Sequence, residues 1–196
     1  NKIYKKPLML WVQDIWPDSL YAYGLNKNIV SKFILNHFVK FMHSDINSVA
    51  VSCNGFKDRL KPYLKKNTKI EYLPNWPDEL ISSNQKISMS EEKKVHFTFA
   101  GNIGKQQNLE NILEAFSQVP NNIREKSQLN IIGDGPRLLN LKKIAKDNKN
   151  IVFYGRKPST MMSAYYEQSD FLIVSLVDKP AFSITVPSKT QTYIAA

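Results

Sequence analysis

Three glycine turns carry the clearest chemical signal in this 196-residue chain. Gly101 and Gly104 lie in "FAGNIGKQQN", Gly133 and Gly135 in "IIGDGPRL", and Gly155 in "FYGRKP", each after an apolar run and before a helical pattern. Glycine lets backbone approach a ligand closely, and a helix N-terminus offers free N–H groups at the positive end of its dipole, so such turns suit phosphate. Near the end of the chain, Pro187 sets a helix start that leaves Ser188 and Lys189 at a positive dipole end. Two common phosphate loops are excluded. A nucleoside-triphosphatase loop needs four residues between its glycines and Ser or Thr after the lysine, whereas two intervene here and Gln106 follows Lys105. A dinucleotide fingerprint needs a third glycine where Leu138 stands. One glycine turn is as often a tight connection; the recurrence of three points to a phosphorylated ligand.

The elements that position these turns alternate. "PLMLWVQD", "SVAVSC" and "KIEYLP" read as strands, separated by a helix over residues 28–43 and a short one over 55–64. Residues 74–94 then lose all periodicity to prolines, serines and charges, as a linker does. The pattern resumes with strands "VHFTFA", "LNIIG", "IVFYG" and "DFLIVSL", and helices over 108–118, 136–147, 159–168 and from 188 onward. Strands alternating with helices imply parallel sheets, here in two lobes, with ligands at the carboxyl ends of the strands.

Composition narrows the ligand. The net charge of +10 points to polyanions, yet residues 1–80 carry 12 Lys and Arg against 7 Asp and Glu, and residues 81–196 carry 15 against 10. Charge so evenly spread is no nucleic-acid arm, and aromatics are not interleaved with basic residues as a base-stacking platform requires. No apolar stretch approaches the roughly 20 residues of a spanning helix. The single cysteine, Cys53, makes no internal disulfide and reads as a small buried hydrophobe. No Asp-x-Asp pair is present, and His37, His43 and His96 lack ligand-like spacing.

"FTFAGNIGKQQNLENILEAF", "LNIIGDGPRLLNLKKIA", "NIVFYGRKPSTMMSAYYEQSDFLIVSL" and "VPSKTQTYIAA" occur in the order and spacing of the donor-binding domain of glycosyltransferase family 4. "LWVQDIWPDS" and "YLPNWPDE" resemble the branch that builds bacterial surface polysaccharides, similar to O-antigen and capsule amino-sugar transferases. The resemblance covers nearly the whole chain. It implies an α/β fold of GT-B type, two Rossmann-like lobes with parallel sheets facing across a cleft. Residues 1–75 would be part of the acceptor-side lobe, 76–94 the linker and 95–196 the nucleotide-sugar lobe, both lobes truncated in a partial chain. The implied activity is retaining transfer of a sugar, an N-acetylated hexose, from a UDP-sugar to a lipid-linked or oligosaccharide acceptor, with no metal and no cofactor.

The family aims an arginine just after the first loop glycine, and a lysine five residues later, at the diphosphate. Here those positions hold Asn102 and Gln107, and Lys105 is displaced by two. The resemblance therefore assigns charge to Lys105 and close backbone and amide donors to Gly101, Asn102, Gly104 and Gln107. Asp134, Gly135 and Pro136 shape the nucleoside pocket, and the backbone at Tyr154, Gly155 and Arg156 reads the base. The family's two glutamates, eight residues apart, are replaced by Ile184 and Thr192, which leaves Thr192 at the ribose and Ser188 and Lys189 as the local phosphate donors. Asp14 stands where relatives place a polar residue near the donor sugar, so Asp14, Lys105 and Lys189 are the catalytic candidates; Trp16 is a candidate for the acceptor, while Trp11 reads as core.

The basic start "NKIYKK" and the aromatic helix "NIVSKFILNHFVKFMHS" suggest a cytoplasmic protein held peripherally on the inner membrane face. The other reading places Phe33, Phe38 and Phe41 in the core. Two further function classes stay open: a nucleotide-sugar 2-epimerase of the same architecture, and a non-catalytic subunit of a polysaccharide assembly complex.

Overall fold

The computed structural model describes residues 6–77, 87, 89, 94–146 and 148–196. The chain divides into two compact units, Asn1–Asn75 with Asp178–Val186, and Trp76–Val177 with Pro187–Ala196.

The first unit is built on a three-stranded parallel sheet of β1 (Met9–Val12), β2 (Ser48–Val51) and β3 (Lys69–Tyr72), in that order. Helices α1 (Asp18–Ala22) and α2 (Ile29–Met42) connect β1 to β2, and α3 (Phe56–Leu60) runs into a 3-10 turn before β3. Asn28 starts α2 by a reciprocal cap: its Oδ1 accepts from Ser31 N at 2.7 Å while Ser31 Oγ accepts from Asn28 N at 3.1 Å. Val49, Val51, Phe56 and Leu60 are fully buried between the sheet and its helices. The apolar stripe of α2 behaves differently. Val39 is its one buried residue, whereas Val30 is 65% exposed, Phe33 64% and Phe41 76%. The core reading of Phe33, Phe38 and Phe41 is therefore not what the described residues show.

Residues 178–186 pack with this first unit, not with the lobe to which the sequence assigns them. Val186 N donates to Cys53 Sγ at 3.1 Å, Phe182 lies 5.9 Å from the Tyr23 ring, and Ile184 packs on the apolar cluster around Phe56. A segment so placed is invisible to periodicity, because its partners lie more than a hundred residues away. Most of the expected linker over 76–94 lies outside the described residues.

The second unit holds a four-stranded parallel sheet of β4 (Val95–Ala100), β5 (Ser127–Ile132), β6 (Ile151–Gly155) and β7 (Phe171–Leu172), in the order β6-β5-β4-β7. Its helices are α4 (Leu109–Gln118), α5 (Asn121–Arg124), α6 (Leu138–Ile144), α7 (Met162–Glu167) and α8 (Ser188–Ala195). Strand β5 is buried at all six positions, as a central parallel strand must be. Leu129 and Ile131 meet Phe99, Leu113 and Leu141 in one core, where truncating such a residue to alanine costs about 2–5 kcal/mol. The seven-residue strand expected at "DFLIVSL" pairs over only two residues. Ile173 N still donates to Thr98 O at 2.8 Å, but Val177 N then bonds to Gln106 O at 2.8 Å, drawing the chain off the sheet.

Candidate functional site: a glycine-lined anion cradle

Hydrogen bonds link the three glycine turns in series at the carboxyl edge of β4, β5 and β6. Gly101 N donates to Ile132 O and Gly133 N to Gly155 O, both at 2.9 Å, and Ile103 N donates to Asp134 O at 2.8 Å. The approach is too close for side chains. At Gly133, with φ of 137°, a Cβ would lie 1.9 Å from Gly101 O; at Gly135, with φ of 156°, it would lie 2.5 Å from Ile103 O. These two glycines are thus required by backbone packed on backbone, which brings the first two turns together.

From Gly101 the chain passes exposed Asn102 and buried Ile103 to Gly104, whose N–H donates to Gln107 Oε1 at 3.0 Å. Lys105 opens the 3-10 turn Lys105–Gln107 and is exposed. Asn108 then takes a left-handed conformation, φ 49°, to start α4. One residue into α4, Glu110 accepts from Arg137 Nε at 2.7 Å and from Asn140 Nδ2 at 3.3 Å, tying the start of α4 to that of α6. Burial by itself would raise the Glu110 pKa; its own backbone N–H and the Arg137 guanidinium outweigh this and hold the carboxyl below its ordinary value. The two helix starts beside the glycine turns are thereby fixed relative to each other.

Lys189, in the first turn of α8, supplies the charge. Its Nζ is buried, has no hydrogen-bond partner among the described residues, and lies 3.9 Å from the centroid of the Phe99 ring. A Cβ built on Gly101 would be 2.9 Å from that Nζ, so the ammonium rests against the first glycine turn. Burial pushes its pKa down to about 8. A buried unpaired ammonium is costly and is strongly relieved by an anion. Gly101, Gly133, Gly135 and Lys189 are thus brought together, with Asn102 and Lys105 exposed on the same loop.

The remaining candidates are placed less directly. Asp134 is exposed, and its Oδ1 accepts from Gly135 N at 2.7 Å, shaping the turn. Pro136, Arg156 and Ser188 are exposed, and Gly155, φ 67°, has open space where a Cβ would be. The Tyr154 side chain turns away, its hydroxyl donating to Met89 O at 3.0 Å and accepting from Gln128 Nε2 at 3.3 Å, so only its main chain stays with the turn. Thr192 is buried at 5% exposure. Asp14 belongs to the first unit, where it is exposed and its Oδ1 accepts from Ile15 N at 2.9 Å. Trp11 donates its ring N–H to Leu73 O at 3.1 Å, and Trp16 is 40% exposed. Among the described residues no group of three or more His, Cys, Asp or Glu is placed to hold a metal ion. The ring of Phe99 beneath Lys189 was not legible as part of a site, because strand alternation alone marks it as core.

Comparison with known proteins gives this arrangement a setting. The chain is 28% identical over 198 residues to "Probable glycosyltransferase WbjE" of Pseudomonas aeruginosa, a match covering 96% of this chain and 48% of WbjE. The chain thus spans about half the length of that relative. In fold it is similar to WaaG, a glycosyltransferase involved in lipopolysaccharide biosynthesis, with a TM-score of 0.63 at 15% identity over 89% of this chain and 52% of WaaG. It is similar also to Anabaena Alr3699/HepE, solved in complex with UDP, with a TM-score of 0.63 at 13% identity over 90% of this chain and 49% of HepE. These likenesses show a GT-B fold. The model of one family matches residues 81–186, more than half of the chain and all three glycine turns, and on that match the chain belongs to the glycosyl transferases group 1.

Proposed function

We propose that the cradle holds the diphosphate of a nucleotide-sugar donor and that the protein transfers the sugar, with retention of configuration, to a lipid-linked or oligosaccharide acceptor in surface polysaccharide assembly. The observation that carries this is the buried Lys189 ammonium against the Gly101 turn, with no hydrogen-bond partner among the described residues. When the bond from the anomeric carbon to the diphosphate oxygen breaks, negative charge grows on the leaving group. A preoriented ammonium in a dry site stabilises that charge without reorganisation. Lys105 and the Asn102 amide add donors from the solvent side of the loop, and the backbone at Gly155 and Arg156 faces the nucleoside. UDP is the proposed nucleotide, supported by the fold likeness to HepE, whose structure contains UDP, and an N-acetylated hexose is the proposed sugar. The proposed place of work is the cytoplasmic face of the membrane.

Calorimetric binding of UDP and of uridine to wild type and to Lys189→Met tests the site. A charge-assisted contact contributes about 1.5–3 kcal/mol, so the variant should lose roughly ten- to a hundredfold in UDP affinity and almost nothing for uridine. Equal losses for both ligands would remove Lys189 from the phosphate.

A further inference from the structure

Strand β7 leaves β4 early, and this opens a gap beside the first glycine turn. In a parallel strand, alternate residues direct their N–H and C=O toward the same neighbour. Thr98 accepts from Ile173 N of the β7 side, while Gly101 donates to β5, so the polar groups of Ala100 face the side that β7 has vacated. The hydroxyl of Tyr193 fills that place. Ala100 N donates to Tyr193 Oη at 2.9 Å, and Tyr193 Oη donates to Ala100 O at 3.0 Å. A phenol has one proton and free lone pairs, so a single hydroxyl satisfies both groups of one residue.

Tyr193 lies four residues after Lys189, on the same face of α8. One helix therefore sends an ammonium to Gly101 and a hydroxyl to Ala100, adjacent residues of one chain turn. The Tyr193 ring is held in turn by Tyr166, edge-on at 5.4 Å between centroids. Burial keeps the hydroxyl protonated, its pKa raised well above that of a free tyrosine.

We propose that Tyr193 is a positioning residue for the donor diphosphate. By clamping Ala100 it fixes the peptide that leads into Gly101, and so sets the loop against which Lys189 and the phosphate must register. The proposal rests on reading that loop as the diphosphate site.

The test is Tyr193→Phe, which removes one oxygen and keeps the ring. UDP and uridine binding would be measured by calorimetry, and exchange of the Ala100 and Gly101 amides by NMR, in both proteins. The expected result is UDP affinity reduced by about tenfold, uridine affinity unchanged, and faster exchange confined to the end of β4. Unchanged UDP affinity would overturn the inference. So would equal loss of uridine, or a variant that fails to fold, since either makes the hydroxyl a general support of the fold. A wild-type protein that binds UDP no better than uridine would instead bring down the diphosphate reading and the inference with it, and the wild-type titration separates that outcome from a failure at Tyr193.

Discussion

The ammonium of Lys189 lies over the face of Phe99 with no acceptor in reach among the described residues, an arrangement in which cation–π attraction of about 0.5–2 kcal/mol offsets only part of the desolvation cost. Its pKa of about 8 lies below the 10.5 of a free lysine. Between those values the unfolded chain binds more protons than the folded one, so this group's contribution to the stability of the unliganded protein rises as pH increases from about 8 toward 10.5. A bound diphosphate reverses the balance by favouring the charged form. UDP binding should therefore take up roughly one proton at pH 9 and almost none at pH 6. Calorimetry in buffers of different ionisation enthalpy measures this uptake, and Lys189→Met should abolish it. Uptake at pH 9 that persists in the variant would place the titrating group elsewhere.

At the scale of elements, the site depends on how closely two loops approach. Gly133 abuts Gly101 through backbone alone, whereas Gly155, also at positive φ, has open space around it. Gly133→Ala should cost more than about 2 kcal/mol, because the backbone must shift as well as strain. Gly155→Ala should cost only about 1 kcal/mol, the conformational penalty by itself. Chemical denaturation of the two variants checks the difference, and equal costs would mean that close approach is not what the glycine at 133 provides. Strands β4, β5 and β6 were legible from their apolar runs because a buried parallel strand needs both faces apolar. The length of β7 was not, since where a strand stops pairing is set by what its continuation bonds to, here Gln106 O. Helix α2 was legible as a helix, but its burial was not. Periodicity gives a helix an apolar face without saying whether anything covers it.

For the whole molecule, two predictions concern surroundings rather than chemistry. The exposed face of α2, with Ile29, Val30, Phe33 and Phe41 flanked by Lys32 and Lys40, suits an anionic bilayer, where each lysine near the surface contributes about 1 kcal/mol. Anionic liposomes should bind the protein at low salt, release it at high salt, and fail to bind the Phe33→Asp, Phe41→Asp double variant. Wild-type protein left entirely in the supernatant at low salt would exclude this attachment. No helix among the described residues is long and apolar enough to cross a membrane. The second prediction, which rests on the proposed function, is that sugar transfer by the full-length enzyme persists in EDTA, because the sequence has no Asp-x-Asp pair and the cradle would offer an ammonium and amide donors to the diphosphate. Activity lost to the chelator and restored by Mg²⁺ or Mn²⁺ would overturn it.

The sequence by itself determined the α/β alternation, the two parallel sheets and the three glycine turns at strand ends, because hydrophobic period and glycine placement are local properties that the chain displays over a few residues. It also singled out Lys189 as a helix-start cation. Only the tertiary structure decided that the ammonium of this lysine is buried against Gly101 with no hydrogen-bond partner among the described residues, that Tyr193 one turn later clamps Ala100, and that Tyr154 turns its side chain into the core. It decided likewise that residues 178–186 leave one unit to pack with the other. Each of these is a contact between segments distant in the chain. Such contacts are fixed by which surfaces remain uncovered once the sheets have formed, and no local pattern encodes them.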